Sequence, residues 1–314
     1  MGGPGRTGQR RGRDTIRACP ASARSRSLLT TDSIERRLLT PPPRDLTDDA
    51  PGPPLRLDGP IRPANLEPVG ARAARVPSLA GFANPRHRAR ILHAFANHEL
   101  QATELYAWAI LAFPDAPPEL RRDLLSVLVD EQRHTRMYIA RVEACGARFG
   151  EFPVSDYFWA KAPSLTTPLR FLCAMALTWE NANLDHTLDS AAAARAAGDD
   201  ASAAVIDKVQ SDEVRHVSIG WKWLARLKPP DMDMWTAWRA NIDFPLRPAL
   251  ARGRRFNAAG RVAAGLDEAF IAALEATDLD LDRRGAALDP LRSGAARTDD
   301  AADDPPGAAV PSRP

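Results

Sequence analysis

The sequence predicts an all-α fold: a four-helix bundle of two antiparallel hairpins joined by a long crossover, with short C-terminal helices and disordered termini. Three observations predict it. Apolar residues recur at helical spacing in four segments between residues 84 and 227. The connections between these segments are short, long and short in turn, as a single crossover requires. The pattern Asp-Glu-x-Arg-His occurs at 130–134 and again at 212–216, a repeat of 82 residues (212 − 130) on the second and fourth segments.

The first hairpin has clear helix start and stop signals. Asn84-Pro85 combines an N-cap residue with proline at the first helical position, and this helix is predicted to run to about residue 113. The stretch Pro114–Pro118 breaks it. The second helix is predicted from about 118 to 145. It ends at Gly146, because the position just after a helix favours glycine.

A long aromatic connection, residues 146–167, precedes the second hairpin. Thr167-Pro168 starts the third helix, which is predicted to end near Gly198. The fourth helix is predicted from about 200 to 227, where Pro229-Pro230 end it. Residues 232–242 and 266–274 are predicted to form short helices that pack on the bundle.

Both ends are predicted to lie outside a helical domain of residues 81–276. Residues 1–80 are rich in Pro, Gly and Arg and bury too little apolar surface to offset their ordering entropy. They are predicted to be a disordered arm, in which residues 33–39 could form a short helix. Residues 277–314 are rich in Asp, Ala and Pro and are predicted to be a disordered acidic tail.

Composition argues against several functional classes. The 42 Lys and Arg against 40 Asp and Glu give a net charge of +2, so nucleic-acid binding is not predicted. Three cysteines without a regular framework indicate a reduced, cytoplasmic protein. No run of 18 apolar residues occurs in the sequence, so no membrane span is predicted. The Arg-rich N-terminus lacks the apolar stretch of a secretory leader.

Each copy of the repeated motif carries a Glu and a His three residues apart. On an α-helix this spacing is about 300° of rotation, so both side chains leave one face about a turn apart. Glu131 with His134, and Glu213 with His216, can each bind a transition metal ion. Two such pairs facing each other, with one further Glu from each of two other helices, make the two-metal carboxylate site of ferritin-like bundles. The sequence therefore predicts a ferritin-like bundle.

The first helix offers two further carboxylates, Glu99 and Glu104. In an antiparallel hairpin, residues that face each other lie about equally far from the turn. The midpoint of 99 and 131 is residue 115, inside the Pro114–Pro118 break, whereas the midpoint of 104 and 131 is 117.5, at its far edge. Glu99 is therefore the predicted partner of Glu131.

The third helix offers Glu180 and Asp185, which follow the first-helix pair by 81 residues (180 − 99 and 185 − 104). The midpoint test is less decisive here: 180 with 213 gives 196.5, and 185 with 213 gives 199, nearer Gly198. We choose Glu180 because it matches Glu99 and because such bundles use Glu on these helices. Residues five apart differ by about 140° around a helix. Glu104 and Asp185 are therefore predicted to form interhelix salt bridges, with contact to the metal ligands as the alternative.

The predicted donors select the metal. Four Glu and two His offer oxygen and imidazole nitrogen without thiolate, which suits two iron ions, or manganese as the alternative, better than zinc or copper(I). The competing interpretation is a solvated ladder of salt bridges on exposed helix faces. Bulky apolar neighbours, such as Leu128 and Tyr138 around Glu131 and Val209 before Glu213, favour burial. Buried carboxylates need partners, and metal ions supply them.

These segments resemble known families. The repeated Asp-Glu-x-Arg-His is similar to the motif of ferritin-like di-iron oxygenases and desaturases. Residues 91–105 (ILHAFANHELQATEL), 177–185 (LTWENANLD) and 212–224 (DEVRHVSIGWKWL) resemble a narrower, uncharacterised bacterial ferritin-like family, filed as domain of unknown function 455. The resemblance covers about residues 60–275.

The resemblance implies a ligand set and the groups that orient it. The implied ligands are Glu99, Glu131, His134, Glu180, Glu213 and His216. By analogy with the oxygenases, Asp130 would hold His216 and Asp212 would hold His134, which is a common way of orienting a ligating imidazole. The implied partners of these aspartates are Arg133 and Arg215.

The remaining histidines are predicted to lie outside the site. His98 follows Asn97 where that family is expected to have a different run, and it is not assigned to the site. The histidines predicted to lie on the surface are His87, His93 and His186.

Two tyrosines are predicted near the site. Tyr106 and Tyr138 lie seven residues after Glu99 and Glu131, two turns along the same helix faces, and Tyr138 is counted among the groups around the ligands. Gly220 occupies the position in the repeat that Tyr138 occupies on the second helix (220 − 138 = 82). This pairing either leaves a pocket beside one metal ion or, as we favour, reflects ordinary core packing.

The sequence therefore predicts an oxidoreductase in which a di-iron centre activates dioxygen or peroxide and oxidises an unidentified small substrate, with an unidentified electron donor. Two alternatives stay open: iron oxidation with storage or detoxification, and manganese catalase-like removal of peroxide. The long ends argue against a storage cage, and a homodimer is compatible with the bundle. Ferritin-like bundles host several chemistries, so the fold alone does not choose among them.

Overall fold

The computed structural model describes residues 19–39, 46–48, 51–70, 72–243 and 245–279. Its all-α architecture confirms the predicted fold class. The helices are α1 (Ala21–Thr30), α2 (Ile34–Leu38), α3 (Pro85–Ala112), α4 (Pro118–Ala144), α5 (Pro168–Ala174), α6 (Asn181–Ala196), α7 (Asp200–Leu227), α8 (Met234–Arg239), α9 (Ala258–Ala263) and α10 (Glu268–Glu275). Short 3₁₀ turns lie at Ala64–Leu66, Leu79–Ala83, Trp159–Ser164 and Pro248–Ala251, and strands β1 (Cys19–Pro20) and β2 (Leu46–Thr47) pair in parallel.

The first hairpin, α3 and α4, has the predicted ends. The Asn84 side chain accepts hydrogen bonds from the backbone N–H groups of Arg86 (2.9 Å) and His87 (3.2 Å), so it caps α3 as expected. The chain leaves α4 through Gly146 at φ +80°, a conformation that glycine adopts without steric cost. These local signals fix where the two helices begin and end, and hence how they face each other.

The second hairpin departs from the single regular third helix that the sequence predicts. Between α5 and α6, residues Met175–Glu180 form a π-helical turn, and α7 returns alongside. The hydroxyl of Thr178 donates to the carbonyl of Cys173, five residues back, at 2.7 Å. Such turns are frequent at functional sites, and this one ends at a predicted ligand, Glu180.

Gly220 of α7 lies against this π-helical turn. A Cβ added at Gly220 would lie 2.5 Å from the Ala176 Cβ and 3.1 Å from the Leu177 Cγ. The glycine therefore permits two helices to approach closely. The hypothesis of a pocket at this position is wrong, and the core-packing interpretation holds.

Part of the predicted disordered arm is folded onto the bundle. This N-terminal segment contains α1 and α2, and the Ser33 side chain caps α2. The short helix predicted at 33–39 is therefore confirmed. Leu28 and Leu29 are buried in the main core, and Arg37 is fully buried. The prediction of a disordered 1–80 is wrong for residues 21–39 and 51–80 apart from residue 71. Composition missed this order because a few apolar side chains and a paired arginine suffice to dock the segment.

The C-terminal helices form a second layer on the bundle. The predicted short helices at 232–242 and 266–274 correspond to α8 and α10, and α9 lies between them. Trp238 is fully buried and packs its ring against Phe270 at 5.2 Å between centroids. Residues 1–18 and 280–314, where disorder is also predicted, lie outside the described residues. Within the described part of the chain, no helix combines the length and hydropathy that crossing a membrane requires.

Candidate metal centre

The structure brings the six predicted ligands together in the middle of the bundle. They form two groups of four, and within each group one ligand atom per residue lies within 4.8 Å of the others. One group is Glu99, Glu131, His134 and Glu213; the other is Glu131, Glu180, Glu213 and His216. Glu131 and Glu213 belong to both groups, so each could contact two ions at once.

Glu131 lies between the two imidazoles. The Nδ1 atom of His134 lies 3.6 Å from Glu131 Oε2 and 3.4 Å from Glu99 Oε2. The Nδ1 atom of His216 lies 3.2 Å from Glu131 Oε1, 3.4 Å from Glu213 Oε2 and 4.0 Å from Glu180 Oε1. The two imidazole centroids are 5.8 Å apart. The Glu-x-x-His spacing on α4 and α7 thus points all four motif side chains inward, as the helical period requires.

The cluster is buried and contains polar atoms that the protein itself does not satisfy. Exposed fractions run from 0% for both histidines to 6% for Glu99. Six buried atoms have no hydrogen-bond partner among the described residues: both oxygens of Glu131, Oε2 of Glu180, Oε2 of Glu213, and Nδ1 of His134 and of His216. An unpartnered buried polar group is costly, and a metal ion is the partner that carboxylate oxygens and imidazole nitrogens share. The donor set therefore fits metal ions that prefer oxygen and nitrogen.

The far side of each imidazole is held by the aspartate of the other motif. The Nε2 atom of His134 lies 3.1 Å from Asp212 Oδ2, and that of His216 lies 3.2 Å from Asp130 Oδ2. This crossed arrangement is the one implied by the resemblance. It leaves Nδ1 of each ring directed at the glutamates.

Arginines of both motifs and one lysine surround the aspartates. Arg133 donates to Asp212 and to Asp130, both at 2.7 Å, and Arg215 pairs with Asp130. Lys208, one turn before Asp212 on α7, also pairs with that aspartate. The sequence analysis did not identify Lys208, although its i, i+4 spacing is a signal that could have found it.

The electrostatics of the cluster follow from burial and crowding. Burial, together with the neighbouring Glu131, raises the pKa of Glu99 well above its usual value. Burial raises the pKa of Glu180 to about 8; His216 opposes this shift, and Glu213 and Glu131 add to it. The Glu131 pKa is lowered although burial opposes it, because both imidazoles lie beside the carboxylate.

The imidazoles shift in the opposite direction to the crowded carboxylates. Burial alone would lower the pKa of His134, but its hydrogen bond to Asp212 and the adjacent Glu131 and Glu99 raise it well above the usual range. The pKa of His216 is raised in the same way by Asp130. Without metal ions the cluster thus keeps protons that it would release on binding a cation.

Tyr106 makes a contact that the sequence analysis did not assign. Its hydroxyl donates to Glu180 Oε1 at 2.7 Å. Tyr138, the tyrosine that was predicted around the ligands, is buried and packs its ring on Phe95 at 5.5 Å. The Tyr106 contact joins α3 to the π-helical turn across the bundle, so spacing along one helix could not reveal it.

Asn183 also touches a predicted ligand. Its Nδ2 donates to Glu213 Oε1 at 3.2 Å. It lies three residues after Glu180, on the same helix face, which is the signal that could have identified it.

Glu104 and Asp185 form buried salt bridges outside the ligand groups, so the favoured prediction for them is confirmed. Glu104 accepts from Arg37 and from Arg62, the latter at 2.6 Å. Asp185 accepts from both arms of the Arg261 guanidinium, at 2.7 and 2.9 Å.

The other histidines stay outside the cluster. The ring of His98 packs against Phe158. His87 is exposed and His186 is half-buried. The surface prediction is wrong for His93, which is 1% exposed because its Nε2 accepts the backbone N–H of Gly150 and its ring packs on Phe149.

Comparison with known proteins gave one family. The sequence model of a family described as "Protein of unknown function (DUF455)" matches residues 21–272. The match begins at the first residue of α1, so it includes the N-terminal segment that packs on the bundle. Neither the curated proteins nor the solved structures gave a match.

Proposed function

Because the chain belongs to this family, whose function its description leaves open, we propose a function from the geometry of the site. The protein is a ferritin-like carboxylate protein that holds two iron ions, with manganese as the alternative. It acts as an oxidoreductase on a small substrate, using dioxygen or peroxide and an electron donor in the cytoplasm.

One observation carries this proposal: the two groups of four share Glu131 and Glu213. Shared carboxylates let two cations lie close together, since each glutamate has two oxygens to divide between them. Glu99 and His134 would complete the ligand set of one ion, and Glu180 and His216 would complete that of the other. This is the ligand pattern of two-metal carboxylate bundles.

The chain's own residues orient and protect the ions. Asp130 and Asp212 hold the imidazoles so that Nδ1 faces the ions, and they keep Nε2 protonated. The Tyr106 hydroxyl holds one oxygen of Glu180 and leaves the other free to bind. The two ions, when bound, would supply the redox chemistry.

The segments that pack on the outside of the bundle favour substrate oxidation over iron storage. The N-terminal segment packs on α3 and α4, and the C-terminal helices pack on the second hairpin. These layers use faces that a cage-forming bundle would need for its neighbours. A homodimer remains compatible with them.

Metal analysis tests the proposal. Protein purified without added metal, or loaded anaerobically with Fe(II), should carry about two iron or manganese ions per chain. A reductant should then drive oxygen consumption by the iron-loaded protein. One zinc ion per chain, or no metal after loading, would contradict the dinuclear centre. Oxidation of many Fe(II) ions per chain would favour the storage alternative, and oxygen release from peroxide by the manganese form would favour the catalase alternative.

A further inference from the structure

The proposed centre is least deeply buried on one side of the bundle. Helices α4 and α7 pack closely against each other, whereas the backbone of α3 lies farther from the π-helical turn and α6, and the side chain of Tyr106 reaches across to Glu180. The side chains of Glu99 and Glu180, which face this gap, are 8% and 6% exposed, while those of Glu131 and Glu213 are each 1% exposed. The least buried glutamates of the proposed centre therefore lie between α3 and the π-helical turn.

An aromatic ring from the crossover spans this gap. His98 directly precedes Glu99, and Trp179 directly precedes Glu180, so the two residues occupy equivalent places 81 residues apart (179 − 98). The ring of Phe158 lies 5.2 Å from the His98 ring and 4.7 Å from the Trp179 ring, between centroids. Phe158 thus bridges the two helices beside the outermost glutamates.

The backbone at Phe158 is anchored while its side chain stays partly exposed. Gln101 on α3 accepts the backbone N–H groups of Phe158 at 3.0 Å and of Trp159 at 3.5 Å. The indole of Trp159 donates to the buried Glu104 at 2.8 Å. The Phe158 ring is only half-buried. The backbone of this segment is therefore anchored to α3, and a change of the Phe158 side-chain rotamer is the motion that an opening here would require.

Trp179 supplies a second, independent observation that points to a ligand. Its side chain is 8% exposed, and its indole Nε1–H has no hydrogen-bond partner among the described residues. A buried N–H without a partner costs free energy, which a bound acceptor would recover. Rings of Tyr157, Phe158 and Trp179 pack together here, so the surface around that donor is mainly aromatic.

We infer that the substrate of the proposed centre reaches it between α3 and the π-helical turn, and that Phe158 gates this route. The substrate class that fits is a flat, mainly apolar molecule with a hydrogen-bond acceptor for the Trp179 indole. The inference rests on the proposed function. Phe158 contacts the neighbours of two proposed ligands, His98 and Trp179, so its role is to control access and specificity.

The test measures how fast a flat aromatic chelator, 1,10-phenanthroline, removes Fe(II) from the loaded full-length protein. Phe158→Ala should bind the same amount of iron and lose it about tenfold faster, as expected if opening costs about 1.4 kcal/mol less. Phe158→Trp should lose iron more slowly than the wild type, a result that destabilisation cannot mimic. The matched control is Phe149→Ala, a half-buried phenylalanine of the same connection that packs on His93, and its rate should equal that of the wild type.

Equal rates in the Phe158 variants and the wild type would overturn the gate, and so would equal acceleration by Phe149→Ala. Absence of iron from the wild type would overturn the proposed function instead. The gate is then tested on the metal-free protein by acrylamide quenching of the Trp179 fluorescence. That fluorescence is the part of the total signal that Trp179→Phe removes. Phe158→Ala should raise that quenching severalfold and Phe149→Ala should leave it unchanged; no change with Phe158→Ala would overturn the gate.

Discussion

The two hairpins of this bundle contribute the same types of clustered residue, two Glu and one His each, but they are covered by different parts of the chain. Glu104 on α3 and Asp185 on α6 are equivalent positions, both fully buried. Glu104 is neutralised by Arg37 and Arg62, which precede the bundle, and Asp185 by Arg261, which follows it. The comparison separates the clustered Glu and His residues, which repeat, from the segments that cover them, which do not.

The same contrast appears beside the clustered glutamates. Glu180 accepts a hydrogen bond from Tyr106, whereas Thr187 occupies the equivalent position on α6 (187 − 106 = 81) and donates to its own helix, to Asn183 O. Both glutamates lie near an imidazole, Glu99 at 3.4 Å from Nδ1 of His134 and Glu180 at 4.0 Å from Nδ1 of His216, so the tyrosine is what differs. If the centre holds two ions, they therefore have different surroundings despite their matching ligands.

The largest expected effect comes from the shared carboxylates. Glu131→Ala should abolish binding of both ions, because Glu131 belongs to both groups of ligands. Glu99→Ala and Glu180→Ala should each weaken the binding of mainly one ion, so that about one metal ion per chain remains bound. Titration of Fe(II) with elemental analysis measures this difference.

The aspartates provide a graded control for that result. Asp130→Ala and Asp212→Ala keep all six ligands but free one imidazole to rotate, so metal affinity should fall about 10- to 100-fold. If Asp130→Ala removed metal as completely as Glu131→Ala, the distinction between ligands and their supports would be wrong.

The arginines that pair with Glu104 and Asp185 should differ in how much they contribute to the free energy of unfolding. Arg261→Ala removes the guanidinium that binds both oxygens of Asp185 and leaves that carboxylate the backbone N–H groups of Gly253 and Asn257. Removing one partner of a buried ion pair destabilises by about 3–5 kcal/mol. Arg37→Ala should cost less, since Glu104 keeps Arg62 and the Trp159 indole. Urea unfolding of the metal-free variants gives both values.

An exposed pair serves as the control for these arginines. Arg195 and Asp207 are 51% and 48% exposed, so Arg195→Ala should change the free energy of unfolding by less than about 1 kcal/mol. If Arg261→Ala and Arg37→Ala lowered the free energy of unfolding equally, the two groups of buried salt bridges would contribute equally to stability.

Sequence alone could predict the bundle and the six clustered residues because both depend on local spacing. Helix caps such as Asn84 and the three-residue step from Glu131 to His134 are read within one helix. The docking of Arg37 on Glu104, 67 residues away, depends on how separate segments pack. The contact between Tyr106 and Glu180 depends in addition on the π-helical turn, which leaves no compositional signal. What the sequence analysis missed is therefore mostly contact between elements.

The pH dependence of stability should distinguish the metal-free and metal-loaded proteins. In the metal-free protein the pKa of Glu180 is raised from its ordinary 4.5 to about 8, so folding favours its protonated form. Stability from this group is present at low pH and is lost as pH rises from 4.5 through 8. The raised pKa values of both histidines act in the same direction, since their stabilisation is lost as pH rises through the folded-state value.

The melting temperature of the metal-free protein should therefore fall by several degrees between pH 6 and pH 9, and that of the loaded protein should fall less, because bound cations keep the carboxylates ionised. Glu180→Gln should flatten the metal-free profile. A metal-free profile as flat as the loaded one would show that these carboxylates are not crowded in solution.

The most localised expected effect is at Tyr106, the tyrosine that would distinguish the two proposed ion positions. Tyr106→Phe removes one hydrogen bond to Glu180 and keeps the ring that packs on Phe171. A hydrogen bond to a charged group contributes about 1.5–3 kcal/mol, so affinity for one of the two ions should fall by roughly one to two orders of magnitude while the other is unchanged. Biphasic Fe(II) titration measures the two sites separately, and Tyr138→Phe is the matched control on α4. A loss shared equally by both ions would mean that Tyr106 supports the whole cluster, and the two positions would then be equivalent after all.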